Sequence, residues 1–355
     1  MNFELLEKLV NTPTPTGEET AGALMLGRYI KAETGIDATI DMHGNLHAVY
    51  DVGAKRTVML EGHGDEIGYM VEYIDEQGFV YFQALGGITV PLSAAERIDI
   101  LGRGGIVHGV MGARPPHLSK KDGDKVPSEL KSLPCDIGAS SRAEAEALVS
   151  VGDSAVVAAS YRPLAGTRVS GRGFDNRAGT FAMCEAFIKI VKSAVKPSVN
   201  VHYVSTVCEE IGLVGGRLAS YSVHPDIGIS CDVAFAGDTP GDDEKVVGDI
   251  RLGGGASVAV GPIYHKRLVS FALFVAERDG IAVQKRAVPK GAGNNGWSLK
   301  LERGGAAVLQ IAIPLRYMHS PVEVIDLKDV AAVTDLVASI AQTLPADFPL
   351  LPEQP

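Results

Sequence analysis

The stretch Val199-Asn200-Val201-His202-Tyr203-Val204-Ser205-Thr206-Val207-Cys208-Glu209-Glu210 decides how the chain is read. Val199, Val201, Tyr203, Ser205 and Val207 recur at every second position, the period of a half-buried strand, and two adjacent carboxylates close the run. Further candidate ligands stand at similarly abrupt ends: His63 with Asp65 after 56–60, Asp175 in Gly-Phe-Asp-Asn, Asp232 after 227–231, and His319 in Arg-Tyr-Met-His-Ser-Pro after 306–313. Together they offer two imidazoles and several carboxylates, enough to hold a pair of divalent ions and leave one acid free for proton transfer.

Working outward, an α/β rhythm covers 173–355. Helices are expected over 176–193, 213–221, 265–278 and 327–344, and strands over 199–207, 227–231, 281–287 and 306–313. Such alternation predicts a mixed or largely parallel sheet with helices on both faces. Before it, Thr16 and Glu19 have the spacing of a capping box that opens a helix running to a Gly35 stop. Gly44-Asn45 reads as a hairpin turn between 38–42 and 46–50. From 68 to 166 the pattern changes to short β-type runs (69–74, 79–82, 105–111, 155–159) with little helical periodicity, which predicts a small all-β insert. The polar run 119–125 within it is expected to be a mobile surface loop. The expected domains are therefore 1–67 with 167–355, interrupted by 68–166.

Composition narrows the function. A chain of 355 residues with 46% hydrophobic content can bury a large core, and 43 acidic against 33 basic residues, a net charge of −10, argue against a nucleic-acid partner. No apolar run is long enough to span a bilayer, and residues 1–12 lack the basic start and apolar stretch of a secretory signal, so a cytoplasmic protein is expected. Cys135, Cys184, Cys208 and Cys231 are scattered, as free thiols in a reducing compartment would be.

In open α/β sheets the binding crevice lies beyond the carboxyl ends of the strands, where these candidates fall. Asp65 is placed to orient the imidazole of His63, since a ligating histidine usually gives its second N–H to a carboxylate. Asp175 on its own could be a helix cap. Glu209 and Glu210 are neighbours whose side chains diverge, so one is expected to ligate while the other moves a proton. His117, in Arg-Pro-Pro-His-Leu, is a lesser candidate for a substrate contact. No phosphate-binding loop or nucleophilic serine motif is present.

At this point the chain resembles the glutamyl aminopeptidase and tetrahedral aminopeptidase family of co-catalytic metallo-aminopeptidases. The resemblance covers nearly the whole chain. It rests on Pro13-Thr14-Pro15-Thr16-Gly17, residues 41–46, Gly62-His63-Gly64-Asp65-Glu66-Ile67-Gly68, Pro115-Pro116-His117-Leu118, residues 136–141, Gly173-Phe174-Asp175-Asn176-Arg177, Glu209-Glu210-Ile211-Gly212-Leu213, residues 236–241 and Arg316-Tyr317-Met318-His319-Ser320-Pro321.

The resemblance implies a mixed sheet flanked by helices, of the three-layer zinc-peptidase type, with an inserted small β-barrel dimerisation domain. It implies that Asp175 bridges two zinc or cobalt ions, one completed by His63 and Asp232 and the other by Glu210 and His319, with Glu209 as base and Asp65 behind His63. It also implies short peptides as substrates and dimers assembling into a tetrahedral dodecamer.

The chain departs from the family's usual residues at Cys208, 253–256, Ala94-Ala95-Glu96 and Asn294-Asn295, the last of which bears on charge near the presumed substrate pocket. A related carboxypeptidase or deacylase is the nearest rival reading. An endoglucanase using Glu209 or Glu210 is weaker, because glycosidases set two carboxylates on opposite sides of the sugar. A catalytically silent metal-bound scaffold leaves Glu209 without a purpose.

Overall fold

The computed structural model describes residues 1–112, 127–291 and 293–351. The 115–118 motif with His117, and the 119–125 run, lie outside the described residues.

Four strands rich in Val, Ile and Leu form the parallel centre of the molecule: Asn200–Thr206, Thr57–His63, Ile227–Phe235 and Ala307–Arg316, in that spatial order. Buried on both faces, they read as nearly continuous apolar runs. Antiparallel additions extend this centre to an 11-stranded mixed sheet. Thr39–Ile40 and Leu46–Tyr50 flank one side, joined by the turn in which Gly44 takes φ 101°. Glu323–Asp326, Arg168–Gly171 and Arg162–Pro163 lie on the other. Ala256–Val260 and Val283–Ala287 branch from Ala307–Arg316.

Helices cover both faces, as the alternation predicts. Phe174–Val191 is buried along almost its whole length, packed on the sheet and beside the helix Leu327–Thr343, which also rests on the sheet. It packs so closely on Thr57–His63 that a Cβ on Gly62 would meet the backbone of Thr180 at 2.8 Å. Helices Val214–Val223 and Asn295–Leu301 sit on the opposite face, where Gly228 makes room for Leu299. Packing of this density is what makes one-methyl changes in such a core costly.

Six strands close a separate antiparallel barrel in the order Gly68–Ile74, Val80–Leu85, Cys135–Asp136, Gly105–Met111, Glu96–Gly102 and Ser154–Val157, around its own core of Tyr69, Val71, Phe82, Ile98, Ile100 and Ala155.

Several expectations fail locally. Thr16 and Glu19 form no capping box, because both side chains are engaged by other groups. Thr16 Oγ1 donates to Asp65 Oδ2 at 2.8 Å, and Glu19 accepts the N–H groups of Gly17 and Cys208. The helix starts at Thr20, although it does stop at a left-handed Gly35 as expected. The barrel region contains a helix, Arg142–Leu148, capped by Ser141. It is a single exposed stretch of two turns, too short to show a periodic face. The strand that begins at Ile227 runs on to Phe235, so Asp232 lies inside it and not beyond its end.

Candidate metal centre

Four parallel strands and one helix start deliver the candidate ligands to one place. His63 is the last residue of its strand and pairs in register with Thr206, so Glu209 and Glu210 emerge one turn beyond it. Asp232 projects from Ile227–Phe235, and His319 follows Ala307–Arg316 through a tight turn in which Tyr317 and His319 both take positive φ. Asp175 enters from the start of Phe174–Val191, where its backbone is non-helical and the Asp175–Asn176 peptide is cis. Its carboxylate points at two histidines and not at the helix N–H groups, so it is not a cap.

All five ligand candidates converge, in groups whose donor atoms lie within 4.8 Å of one another. His63 belongs to one group with Asp175 and Asp232, and Asp175 also to another with Glu210 and His319. Asp175 Oδ1 is 3.3 Å from His63 Nε2, and its Oδ2 is 3.3 Å from His319 Nε2. His319 Nε2 is also 3.5 Å from Glu210 Oε1, and His63 Nε2 is 4.0 Å from both Asp232 Oδ1 and Glu209 Oε2.

Each imidazole is steered from behind. Asp65 Oδ1 lies 3.2 Å from His63 Nδ1, and the carbonyl of Gly87 lies 3.1 Å from His319 Nδ1, which leaves both Nε2 atoms facing the centre.

The donor set fits hard or borderline cations. Asp65, Asp175, Glu209, Glu210, Asp232 and Glu323 crowd around two imidazoles, and in the metal-free protein protons offset much of that charge. Burial pushes Glu209 up to about 9, with Asp232, Glu210 and Asp175 adding to it against the pull of His63. Burial and the Asp175 charge push Asp232 to about 7. Hydrogen bonds to Asp175 and Glu210 drive His319 up to about 11. Burial disfavours the charge of Asp175, yet its bonds to His319 and His63 outweigh this and hold its carboxyl below the usual range. Such a frustrated cluster of acids is the chemistry of a site for divalent ions.

Several supports of the centre were not apparent in the sequence. Glu323 is buried four residues past His319 and accepts the backbone N–H groups of Asp175 at 3.2 Å and His319 at 3.0 Å. An acid within the apolar Glu323–Asp326 strand was the available clue. Glu66 is held between Arg172 and Arg177, and Arg177 also donates to the carbonyl of Thr12, which ties the Gly173-Phe174-Asp175 turn to the His63 loop. Beneath the centre, fully buried Glu61 accepts from Thr206, Ser230 and Asn295, each at 2.7 Å. Asn295 therefore lies under the site as a donor to Glu61, near the cleft that holds the ligand candidates without lining it. Its neighbour Asn294 lines that cleft instead.

Known proteins resemble this chain along nearly its whole length. The lysyl aminopeptidase of Pyrococcus furiosus is 33% identical over 353 residues, covering 98% of this chain and 99% of that protein. The TET aminopeptidase structure from the marine sediment archaeon Thaumarchaeota archaeon SCGC AB-539-E09 superposes with TM-score 0.90 at 28% identity, covering 96% of each chain. The Pyrococcus horikoshii TET1 peptidase, described as assembling into a tetrahedron or a large octahedral shell, gives TM-score 0.84 at 29% identity over 96% of this chain and 99% of that one. A family model described as M42 glutamyl aminopeptidase matches residues 44–336, and the chain, matched over most of its length and carrying this centre, belongs to that family.

Proposed function

We propose that this protein is a dinuclear metallo-aminopeptidase that removes single residues from the N-terminus of short peptides. One observation carries the reading: the two oxygens of Asp175 each face the Nε2 of a different histidine at 3.3 Å, the arrangement of a carboxylate shared by two ions. His63 and Asp232 would complete one ion and Glu210 and His319 the other, with zinc or cobalt suited to such nitrogen and oxygen donors. Bound there, the ions would lower the pKa of a water towards about 7 and polarise the scissile carbonyl.

The protein's own part is proton transfer and positioning. Glu209, buried beside His63 with its Oε2 4.0 Å from the imidazole Nε2, takes the proton from the attacking water. It then returns that proton to the departing amine. Asp65 is a positioning residue that touches His63 and the backbone of both glutamates. Glu209 and Glu210 stand side by side after one strand, which is the wrong disposition for a glycosidase pair that must flank a sugar.

We also propose that the barrel and its flanks, 68–166, form a dimerisation domain and that twelve subunits assemble into a closed shell that admits only short peptides. Similarity to shell-forming peptidases over the full chain supports this. Four free cysteines support a cytoplasmic setting.

The test is free-amine dependence. The zinc- or cobalt-loaded protein should hydrolyse aminoacyl anilides and ignore their N-acetylated counterparts, and chelation should silence it. Cleavage of the acetylated compound alone would favour a deacylase.

A further inference from the structure

The barrel reaches the metal centre through the turn Gly86-Gly87, directly after its strand Val80–Leu85. Gly86 takes φ 77°, and a Cβ there would meet Ile67 Cγ2 at 2.8 Å and Glu210 Cβ at 3.2 Å. Beside it, a Cβ on Gly87 would meet His319 Nδ1 at 2.7 Å and Cε1 at 3.0 Å. The carbonyl of Gly87 also faces His319 Nδ1 at 3.1 Å. Two successive glycines of the insert are therefore pressed against Glu210 and His319, the two ligand candidates that share one proposed ion with Asp175.

The other proposed ion is backed differently. His63 Nδ1 faces the carboxylate and the carbonyl of Asp65, both at 3.2 Å. Its side chain is 2% exposed, against 30% for that of His319. His63, Asp65 and Asp232 all lie outside 68–166. At the junction of barrel and sheet there is also a cavity of about 40 Å³, touched by Ile88 and Thr89 from the insert and by His319, Ser320 and Pro321. A void supplies no contacts, so packing restrains the His319 turn less there than a filled core would, and the carbonyl of Gly87 is left to fix the ring.

We infer that the inserted barrel is a working part of the metal centre: Gly87, with Gly86 beside it, positions His319 and Glu210, so that the affinity for one of the two ions is set by the insert while the other ion is held without it. Gly87 is a positioning residue, acting on the ion through the imidazole of His319. The inference rests on the dinuclear reading above and gives the insert a part in that centre besides the proposed dimerisation.

Gly87→Ala tests it most directly. The φ of Gly87 lies outside the left-handed region, so alanine adds a clash with the imidazole and no backbone strain. Titration of the metal-free full chain with cobalt, followed by visible absorption and elemental analysis, reads both binding steps without any substrate. The wild type should take up two ions, and Gly87→Ala should weaken one step by about 10- to 100-fold while leaving the other unaltered. Gly104→Ala, in a barrel hairpin where a Cβ meets nothing within 4 Å, should match the wild type. In His319→Ala, which is expected to keep one ion, adding Gly87→Ala should cause no further loss, because the ring it displaces is gone. A further loss would mean general damage and overturn the inference.

If Gly87→Ala does not fold, hydrogen exchange of the wild type decides: cobalt should slow the amides of 86–89 and leave those of 103–105 unaltered. Equal cobalt binding by Gly87→Ala and the wild type, or exchange at 86–89 that is indifferent to cobalt, overturns the inference and leaves the dinuclear reading standing on its two bound ions. A wild type that binds fewer than two ions sinks that reading and the inference with it.

Discussion

Asp65 Oδ1 accepts the backbone N–H of Glu209 at 3.1 Å, although the two residues follow different strands. The same carboxylate accepts the N–H of Glu210 and the hydroxyl of Thr16 through Oδ2 and holds His63 Nδ1 at 3.2 Å. One buried group therefore sets the ring of a proposed ligand and the backbone that carries the proposed base. Asp65→Asn keeps the volume but loses the charge and one acceptor. It is expected to lower kcat and metal affinity by about 10- to 100-fold, read by steady-state kinetics alongside metal titration. Loss of kcat with unaltered metal affinity would mean that Asp65 acts on Glu209 alone.

Glu209→Gln should reduce turnover by at least about 100-fold while both ions stay bound, because the amide keeps the shape and cannot accept the proton. Elemental analysis is the deciding measurement. If that variant loses metal, the roles of Glu209 and Glu210 are exchanged. His319→Ala should instead deplete one ion per subunit.

Metal uptake should release protons. In the metal-free protein His319 holds its proton up to about pH 11, through its bonds to Asp175 and Glu210, and Glu209 holds one up to about pH 9, through burial. A ligating imidazole must be neutral, so at pH 7.5 binding expels at least the His319 proton. The apparent affinity for zinc then rises with pH. Calorimetry of zinc binding in buffers of different ionisation enthalpy measures this directly, and proton uptake or no exchange would contradict it.

Glu66 sits between the guanidinium groups of Arg172 and Arg177, all three side chains being nearly solvent-free. Burial disfavours its charge, yet the two arginines outweigh this and hold its carboxyl below the ordinary range. Glu66→Gln leaves two buried cations without a counter-charge and should cost about 3–5 kcal/mol of stability. Urea or guanidinium unfolding of the metal-free protein gives the number. A change of less than about 1 kcal/mol would show that the arginines find other acceptors.

His202 stacks edge-on with His47, their nitrogens 3.1 Å apart, and burial followed by the charge of His47 lowers its pKa to about 4. In the unfolded chain it titrates near 6.5, so below that pH the unfolded state binds the extra proton. Stability is full above pH 6.5 and declines as the pH falls to 4, by at most about 3 kcal/mol from this residue. His202→Gln should flatten that part of the curve, measured as unfolding free energy against pH. An unchanged slope would place the acid sensitivity in the carboxylates.

The strands were legible because their residues carry their own information. The alternation at 199–207 and the apolar run of 56–60 read the same alone or in the sheet. The candidate site positions were legible because His63, Glu209, Glu210 and His319 interrupt those patterns at their carboxyl ends, where an α/β sheet opens its crevice. Asp232 was found for a partly mistaken reason, since its strand continues past it.

Residues whose purpose lies in distant partners could not be read that way. Glu323, Arg172 and Glu61 look like ordinary polar positions in their own segments. The capping box at Thr16 and Glu19 looked sound locally, yet Asp65 and Cys208 claimed both side chains. Local pattern and strand-end chemistry thus determined the elements and the candidate ligands, because both act over a few residues. Only the tertiary structure decided which buried charges face one another, because electrostatic pairing depends on distances through space that segments up to hundreds of residues apart acquire when they pack.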